Sequence, residues 1–214
     1  MKFFGRRVLF LGAHPDDIEL GCGACIHHIA PLSDVMCVTF SDNQGNPLLG
    51  KVVEEHYRAM EILGVPKDRV VLGPFTTRVF PHERQEILEY LLKLRREFEP
   101  EIIFVHSRQD IHQDHNTMTE ETLRAYRGVT VLGYDVVRSS YDFFPHFLVQ
   151  VNEQDVGAKI QALSQYQTYG DKYYFSPELT RAISIRHGAL AELPFAEGFN
   201  ILRIVGAFGE PGRP

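Results

Sequence analysis

Cysteine is scarce in this sequence: Cys22, Cys25 and Cys37 are the three among 214 residues. So few argue against a disulfide-stapled secreted fold and suit a reducing compartment. Cys22 and Cys25 form a C-x-x-C, but no second pair completes a four-cysteine zinc site. They stand at helical spacing among apolar residues and read as small buried hydrophobes. No apolar run is long enough to span a bilayer. The run that begins at Val8 is also too short for a signal peptide and meets Pro15, Asp16 and Asp17 at once. A basic surplus is missing too. With 22 Lys and Arg against 28 Asp and Glu, the net charge is -6, which argues against a nucleic-acid partner. The one basic cluster, Lys93, Arg95 and Arg96, falls late in a helical stretch, where it offsets the helix dipole. Internal repeats, low-complexity tracts and linkers are absent. The 44% apolar and 23% charged residues suffice for a core without staples. The expectation is one domain over 1–214, with a flexible tail from about 209, in the cytoplasm.

What is present alternates. Val8–Leu11, Val35–Phe40, Val70–Leu72 and Ile102–Val105 read as apolar strands. Between them, Ile18, Cys22, Cys25, Ile26 and Ile29 share a helical face. Val52–Leu63 is helical up to Gly64 and Pro66, and Glu83–Phe98 turns Ile87, Leu88, Leu91, Leu92 and Phe98 inward. A further helix is read from His115 to Arg127. Continuous apolar strands with intervening helices predict an α/β fold, a Rossmann-like and mostly parallel sheet with helices on both faces. Later, Val129–Gly133 and Phe147–Val151 read as strands, and Phe199–Val205 as a last strand or an extended segment. Asn152 caps a helix through Tyr166, and Ser176-Pro177 starts another.

Two polar segments follow strands. Gly12–Gly21 follows the first and contains His14, Asp16 and Asp17. His106–His115 follows the fourth and contains Asp110, His112, Asp114 and His115. Both lie past the carboxyl ends of strands, where open α/β sheets bind ligands. Adjacent carboxylates point apart, so one of Asp16 and Asp17 can bind a metal while the other stays free as a general base. A capping role explains one aspartate but not His14. Catalytic zinc needs three protein ligands and an open position. His14, Asp17 and His115 supply three, leaving His112 and Asp114 for acid–base and supporting work.

Ala13-His-Pro-Asp-Asp17 and His112-x-Asp-His115 together resemble the two signature motifs of the PIG-L / LmbE-like zinc deacetylases, which remove N-acetyl groups from glucosamine-containing substrates. The segment Glu55-x-x-Arg58-Ala59 through Leu63-Gly64-Val65 extends the likeness. The resemblance implies one zinc ion on His14, Asp17 and His115, with other divalent metals compatible. It implies Asp16 as general base. His112 becomes the donor that polarises the carbonyl, and Asp114 the carboxylate that orients and charges that histidine. Arg58 becomes a contact to a substrate hydroxyl, Glu19 a structural residue, and the chain a homo-oligomer. Some family members place a tyrosine just before the second motif. Here Asp110 and Ile111 stand there, so a phenol must come from Tyr134 or Tyr141, or be absent.

Asp42, after the second strand, sits at a sheet end and is a secondary candidate to reach the substrate. The aromatic segments 139–146 and 166–175 suit either packing or a sugar cleft and lid. His27, His28, His56, His82, His146 and His187 have no ligand-like neighbours in sequence and read as surface or core histidines. Two rivals remain. A two-metal phosphoesterase needs ligands from more strand ends than these two. A non-catalytic sugar- or nucleotide-binding domain needs a glycine-rich turn after the first strand, where His-Pro-Asp-Asp stands instead.

Overall fold

The computed structural model describes residues 3, 5–43 and 45–206. The expected flexible tail from about 209 lies outside the described residues. In β1 (Arg7–Gly12), Val8 and Phe10 join one apolar cluster, and Leu9 and Leu11 join another. A strand with period 2 that buries both faces must be apolar at every position, which is why its sequence does not alternate. Every residue of β4 (Ile102–His106) and β5 (Thr130–Tyr134) is buried in the same way.

With β2 (Asp34–Thr39) and β3 (Val70–Leu72), these strands pair in parallel in the order β3-β2-β1-β4-β5. Beyond β5 the pairing changes. β7 (Ala196–Arg203) runs antiparallel to β5, and β6 (Phe147–Gln150) runs antiparallel to β7 at the edge. Among the described residues, seven strands thus form one mostly parallel sheet.

Helices cover both faces. On one lie α1 (Asp17–Ile29), α2 (Val52–Ile62) and α5 (Glu153–Leu163), through Ile18, Cys22, Met60 and Val156. On the other lie α3 (Arg84–Phe98) and α4 (Gln113–Ala125), through Ile87, Leu91, Phe98 and Met118. Leu94 also turns inward, while Leu88 and Leu92 are only half-buried. The three cysteines are free and buried. Asn152 caps α5 by accepting the N–H groups of Gln154 and Asp155, and the Asp155 carboxylate accepts its N–H in return. Ser176 caps α6 (Pro177–Ala189), with Pro177 in the first turn.

The order reverses at β1, whose neighbours are β2 on one side and β4 on the other. A crevice opens at such a point beyond the strand ends. The two polar segments leave β1 and β4 there. Gly21 allows close packing beneath them, since a Cβ at that position would collide with the Tyr134 ring.

Candidate metal centre

The turn out of β1 holds Asp16 at φ 104° and ψ -30°. Steric crowding disfavours that region for any residue with a Cβ, at about 1–3 kcal/mol. Asp16 occupies the N-cap position of α1, yet its side chain makes no capping hydrogen bond. Its carboxylate lines a cleft instead. Burial, reinforced by the charge of Asp17, pushes its pKa well above the ordinary carboxylate value, and Arg138 opposes the shift in part. Asp17 opens α1 and accepts the backbone N–H of His14 at 2.8 Å.

Three atoms converge beside it. His14 Nδ1 is 3.4 Å from Asp17 Oδ2. His115 Nε2 is 3.3 Å from the same oxygen and 3.3 Å from His14 Nδ1. The far ring nitrogens are both engaged by carboxylates: His14 Nε2 by Asp114 Oδ2 at 2.9 Å, and His115 Nδ1 by Asp110 Oδ2 at 2.7 Å. An ionised carboxylate only accepts, so each far nitrogen carries the hydrogen. Neutral imidazoles then turn lone pairs toward each other and toward Asp17. Three lone pairs at this separation require a positive charge between them. A tetrahedral zinc ion bound at about 2.0–2.1 Å spaces its ligands about 3.3 Å apart, so the donor set fits such an ion. A proton meets the same need less well. Burial works against a charged His115, but Asp17 and Asp110 outweigh it and raise its pKa to about 10. Asp17 is held well below the carboxylate range, because the His115 charge overcomes its burial.

His106, the last residue of β4, lies beneath this triangle. Its ring stacks on His115 with centroids 3.8 Å apart and planes 10° from parallel. Asp17, His106 and His115 also bring ligand atoms within 4.8 Å of one another, as do His14, His112 and His115. His106 Nε2 already accepts the Ala13 N–H at 3.1 Å, which occupies the lone pair a metal would need. Burial, then the charge of His115, keep its pKa well below the usual value. His106 is therefore a neutral platform that orients His115. Neither His106 nor Asp110 has a role assigned by the sequence alone. Their available signal was position, one ending and one following an apolar strand that points at the site.

His112 caps α4, its Nδ1 accepting the Asp114 backbone N–H at 3.2 Å. This cap starts α4 at Gln113, two residues earlier than the periodicity indicated. Burial and the nearby charges of His115 and His14 lower the His112 pKa to about 4. The cleft beside it has a volume of about 560 Å³, within the range of small-molecule sites. His14, Asp16, Asp42, His112, Tyr169 and Tyr174 are among its lining residues.

A model of the PIG-L family, described as GlcNAc-PI de-N-acetylase, matches residues 9–126, more than half of the chain. The chain belongs to the PIG-L family. YaiS of Escherichia coli K12, described as an uncharacterized deacetylase, is 30% identical over 170 residues, covering 76% of this chain and 91% of its own. A conserved protein of Thermus thermophilus superposes with a TM-score of 0.77 at 20% identity, over 98% of this chain and 100% of that one. The N,N'-diacetylchitobiose deacetylase of Pyrococcus horikoshii gives 0.71 at 19% identity, over 92% and 84%. At these identities the two structures show a shared fold.

In this PIG-L chain three expectations are corrected. The Asp114 carboxylate makes no hydrogen bond to the His112 ring. Its carboxylate takes His14 Nε2 and, at 2.6 Å, the N–H of Arg78, while only its backbone meets His112. His112 is therefore neutral rather than kept protonated. Arg58 is exposed on α2, pairs with Glu54 at 2.8 Å, and is not among the cleft's lining residues. Neither named tyrosine reaches the cleft. Tyr134 is buried and donates to the Leu11 carbonyl at 2.8 Å, and Tyr141 is exposed. Tyr169 and Tyr174 line the cleft instead. Elsewhere, Glu19 is a buried partner of His56 and Tyr166, and His27 and His28 share Asp155.

Proposed function

We propose that this chain hydrolyses an N-acetyl amide on an amino-sugar conjugate of GlcNAc type, releasing acetate and a free amine, with one zinc ion held by His14, Asp17 and His115. The observation that carries the proposal is the triangle of lone pairs at 3.3–3.4 Å, backed by Asp110 and Asp114. The family description and the names of the relatives, GlcNAc-PI de-N-acetylase and diacetylchitobiose deacetylase, support the acetyl group and the amino sugar. Zinc bound there supplies Lewis acidity that polarises an amide carbonyl and acidifies water.

The chain's own residues do the rest. Asp16 takes the proton of the attacking water. Its raised pKa lets the carboxyl hold that proton and then give it to the departing nitrogen. His112 needs no positive charge for its part. With Nδ1 accepting a backbone N–H, its hydrogen sits on Nε2, a donor to the amide oxygen as that oxygen becomes negative. Asp110 and Asp114 hold the ligand rings in the required tautomer. Asp42, in the cleft wall, is proposed as a contact to a sugar hydroxyl. A cytoplasmic location is part of the proposal, supported by the free cysteines. Among the described residues no helix is long and apolar enough to cross a membrane.

The test is metal content and acetate release on one sample, using a panel of N-acetylglucosamine glycosides with and without chelator. About one zinc per chain and chelator-sensitive acetate release are expected. A protein that takes up no metal, and releases no acetate after zinc is added, overturns the proposal.

A further inference from the structure

Among the described residues, two arginines stand at the cleft with no carboxylate in salt-bridge contact. Arg78 follows β3 and Arg138 follows β5. Both line the cleft of His14 and Asp16. Both also line an adjoining groove of about 480 Å³, with Ile111, His112, Gln113 and Ser139. With His112 they form the ridge shared by the two concavities. Among the described residues neither makes an ion pair or a side-chain hydrogen bond. What sets them apart from the other unpaired arginines is their place at the mouth of the site. Arg6, Arg58, Arg84 and Arg181 each pair with a glutamate.

Their positions are fixed by the metal centre itself. Arg78 has φ 69°, a left-handed conformation that persists in such a residue only where its surroundings hold it. Its N–H donates to Asp114 Oδ2, and its carbonyl accepts from Gln113 Nε2 at 2.5 Å. Arg138 precedes Ser139, whose hydroxyl donates to Asp110 Oδ2 at 2.9 Å and whose carbonyl accepts the Ile111 N–H. Each arginine segment is thus tied to the carboxylate behind one ligand histidine. The Arg138 guanidinium lies over the Tyr174 ring, 5.4 Å from its centroid, which leaves its in-plane N–H donors available. It acts on Asp16 through space, with no hydrogen bond between them.

We infer that Arg78 and Arg138 form an oxyanion subsite, so that the group attached to the amino sugar carries a carboxylate or a phosphate. The inference rests on the deacetylase reading and adds the charge of the substrate to it. A guanidinium fork matches either anion in two parallel hydrogen bonds. With the sugar against Asp16 and His112, the anion lies on the ridge and the remainder of the conjugate in the outer groove.

The test measures binding of three amines to the metal-loaded protein: glucosamine 1-phosphate, the carboxymethyl glycoside of glucosamine, and the neutral methyl glycoside. At least one anionic amine should bind about tenfold or more tightly than the neutral one, as charge-assisted hydrogen bonds provide. Which one does so identifies the anion. In R78M/R138M that ratio should fall close to one. The single variants R78M and R138M, each of which should lower it in part, stand in if the double variant does not fold. Equal binding of all three amines by the unaltered protein, or a preference that survives both substitutions, overturns the inference. Binding of an amine needs no turnover. A protein that prefers the anion but releases no acetate from the N-acetyl counterparts refutes the deacetylase reading and leaves the subsite standing. Acetate release at equal kcat/KM from charged and neutral substrates, with equal binding, does the reverse.

Discussion

Asp114, in the first turn of α4, holds His14 Nε2 at 2.9 Å from beneath the cleft surface, and so turns His14 Nδ1 toward Asp17 and His115. On the proposed function its role is thus to support a metal ligand rather than to charge His112. Asp114→Ala should weaken zinc affinity by about 10–100-fold, the usual effect of losing such a support. Turnover should recover in large part at saturating zinc. Competition with a chelator measures the first, and acetate release against zinc concentration the second. Unchanged affinity with lost turnover would return Asp114 to His112.

Metal binding must displace a proton. His115 holds one up to a pKa of about 10, and a ligating imidazole nitrogen must be free of it. The folded protein without metal therefore binds more protons than the loaded one below that pKa. Affinity should rise about tenfold per pH unit between pH 7 and 9, one proton leaving per ion. Calorimetry in buffers of different ionisation enthalpy counts that proton. An affinity flat across this range would mean that His115 is already neutral.

Away from the metal centre, Asp135 and His187 line a small buried cavity and oppose each other in pH dependence. Burial raises Asp135 to about 6, against the pull of Ser140 and Lys159. Its folded pKa exceeds its unfolded one, so its contribution to stability is present below about pH 4 and is lost as pH rises toward 6. Burial, with Lys159 and Arg186, lowers His187 to about 4. Its contribution is present above about pH 6.5 and is lost as pH falls toward 4. The two slopes nearly cancel between pH 4 and 6. Asp135→Asn should leave the His187 slope exposed, and it should stabilise the protein at pH 7 by about 1–3 kcal/mol, the order of a two-unit shift. Urea unfolding at pH 4.5, 5.5 and 7 checks this. A wild-type-minus-variant difference that does not vary with pH would rule it out.

The parallel part of the sheet was legible because its strands carry continuous apolar runs. The convergence of His14, Asp17 and His115 was legible because two dense His/Asp segments follow strands, and all three side chains come from those segments. What was not legible depends on which segment faces which. Asp114 and His112 are two residues apart, so local reasoning pairs them, whereas the Asp114 carboxylate bonds to His14 from the other polar segment. Arg58 lies on a helix with the right motif but on its outer face. Arg78 and Arg138 sit in turns with no motif, and meet the site only because their backbones are held by Asp114 and Gln113, or adjoin Ser139. The antiparallel insertion of β7 between β5 and β6 likewise has no local signature, since pairing order is a property of the whole sheet.

His112→Ala should keep the metal and lose most turnover. Its Nδ1 is occupied by a backbone N–H, so its one available contribution is the Nε2 donor. Removing a donor to a developing oxyanion costs about 2.7–4 kcal/mol in the barrier. Because His112 is neutral down to about pH 4, activity between pH 6 and 9 should show no limb that disappears with this substitution. Equal turnover in a zinc-loaded variant would remove His112 from the reaction.

Asp16 is where stability and chemistry conflict most directly. Its φ of 104° is a conformation that glycine adopts freely, and its buried carboxyl resists ionisation. Asp16→Gly relieves about 1–3 kcal/mol of strain. The extra freedom of glycine in the unfolded chain offsets about 0.5–1 kcal/mol of that. Relief wins by about 1 kcal/mol, which for a domain of this size raises Tm by about 2–4 °C. The same substitution removes the group that takes the water proton, so turnover should fall by about 10²–10⁴. Thermal unfolding in chelator isolates the first effect, and acetate release at saturating zinc isolates the second. A lower Tm would mean that Asp16 gains more from its surroundings than its backbone loses. Undiminished turnover would assign the proton to another residue. A gain in Tm together with a loss of turnover would show that the strained turn is kept for its chemistry.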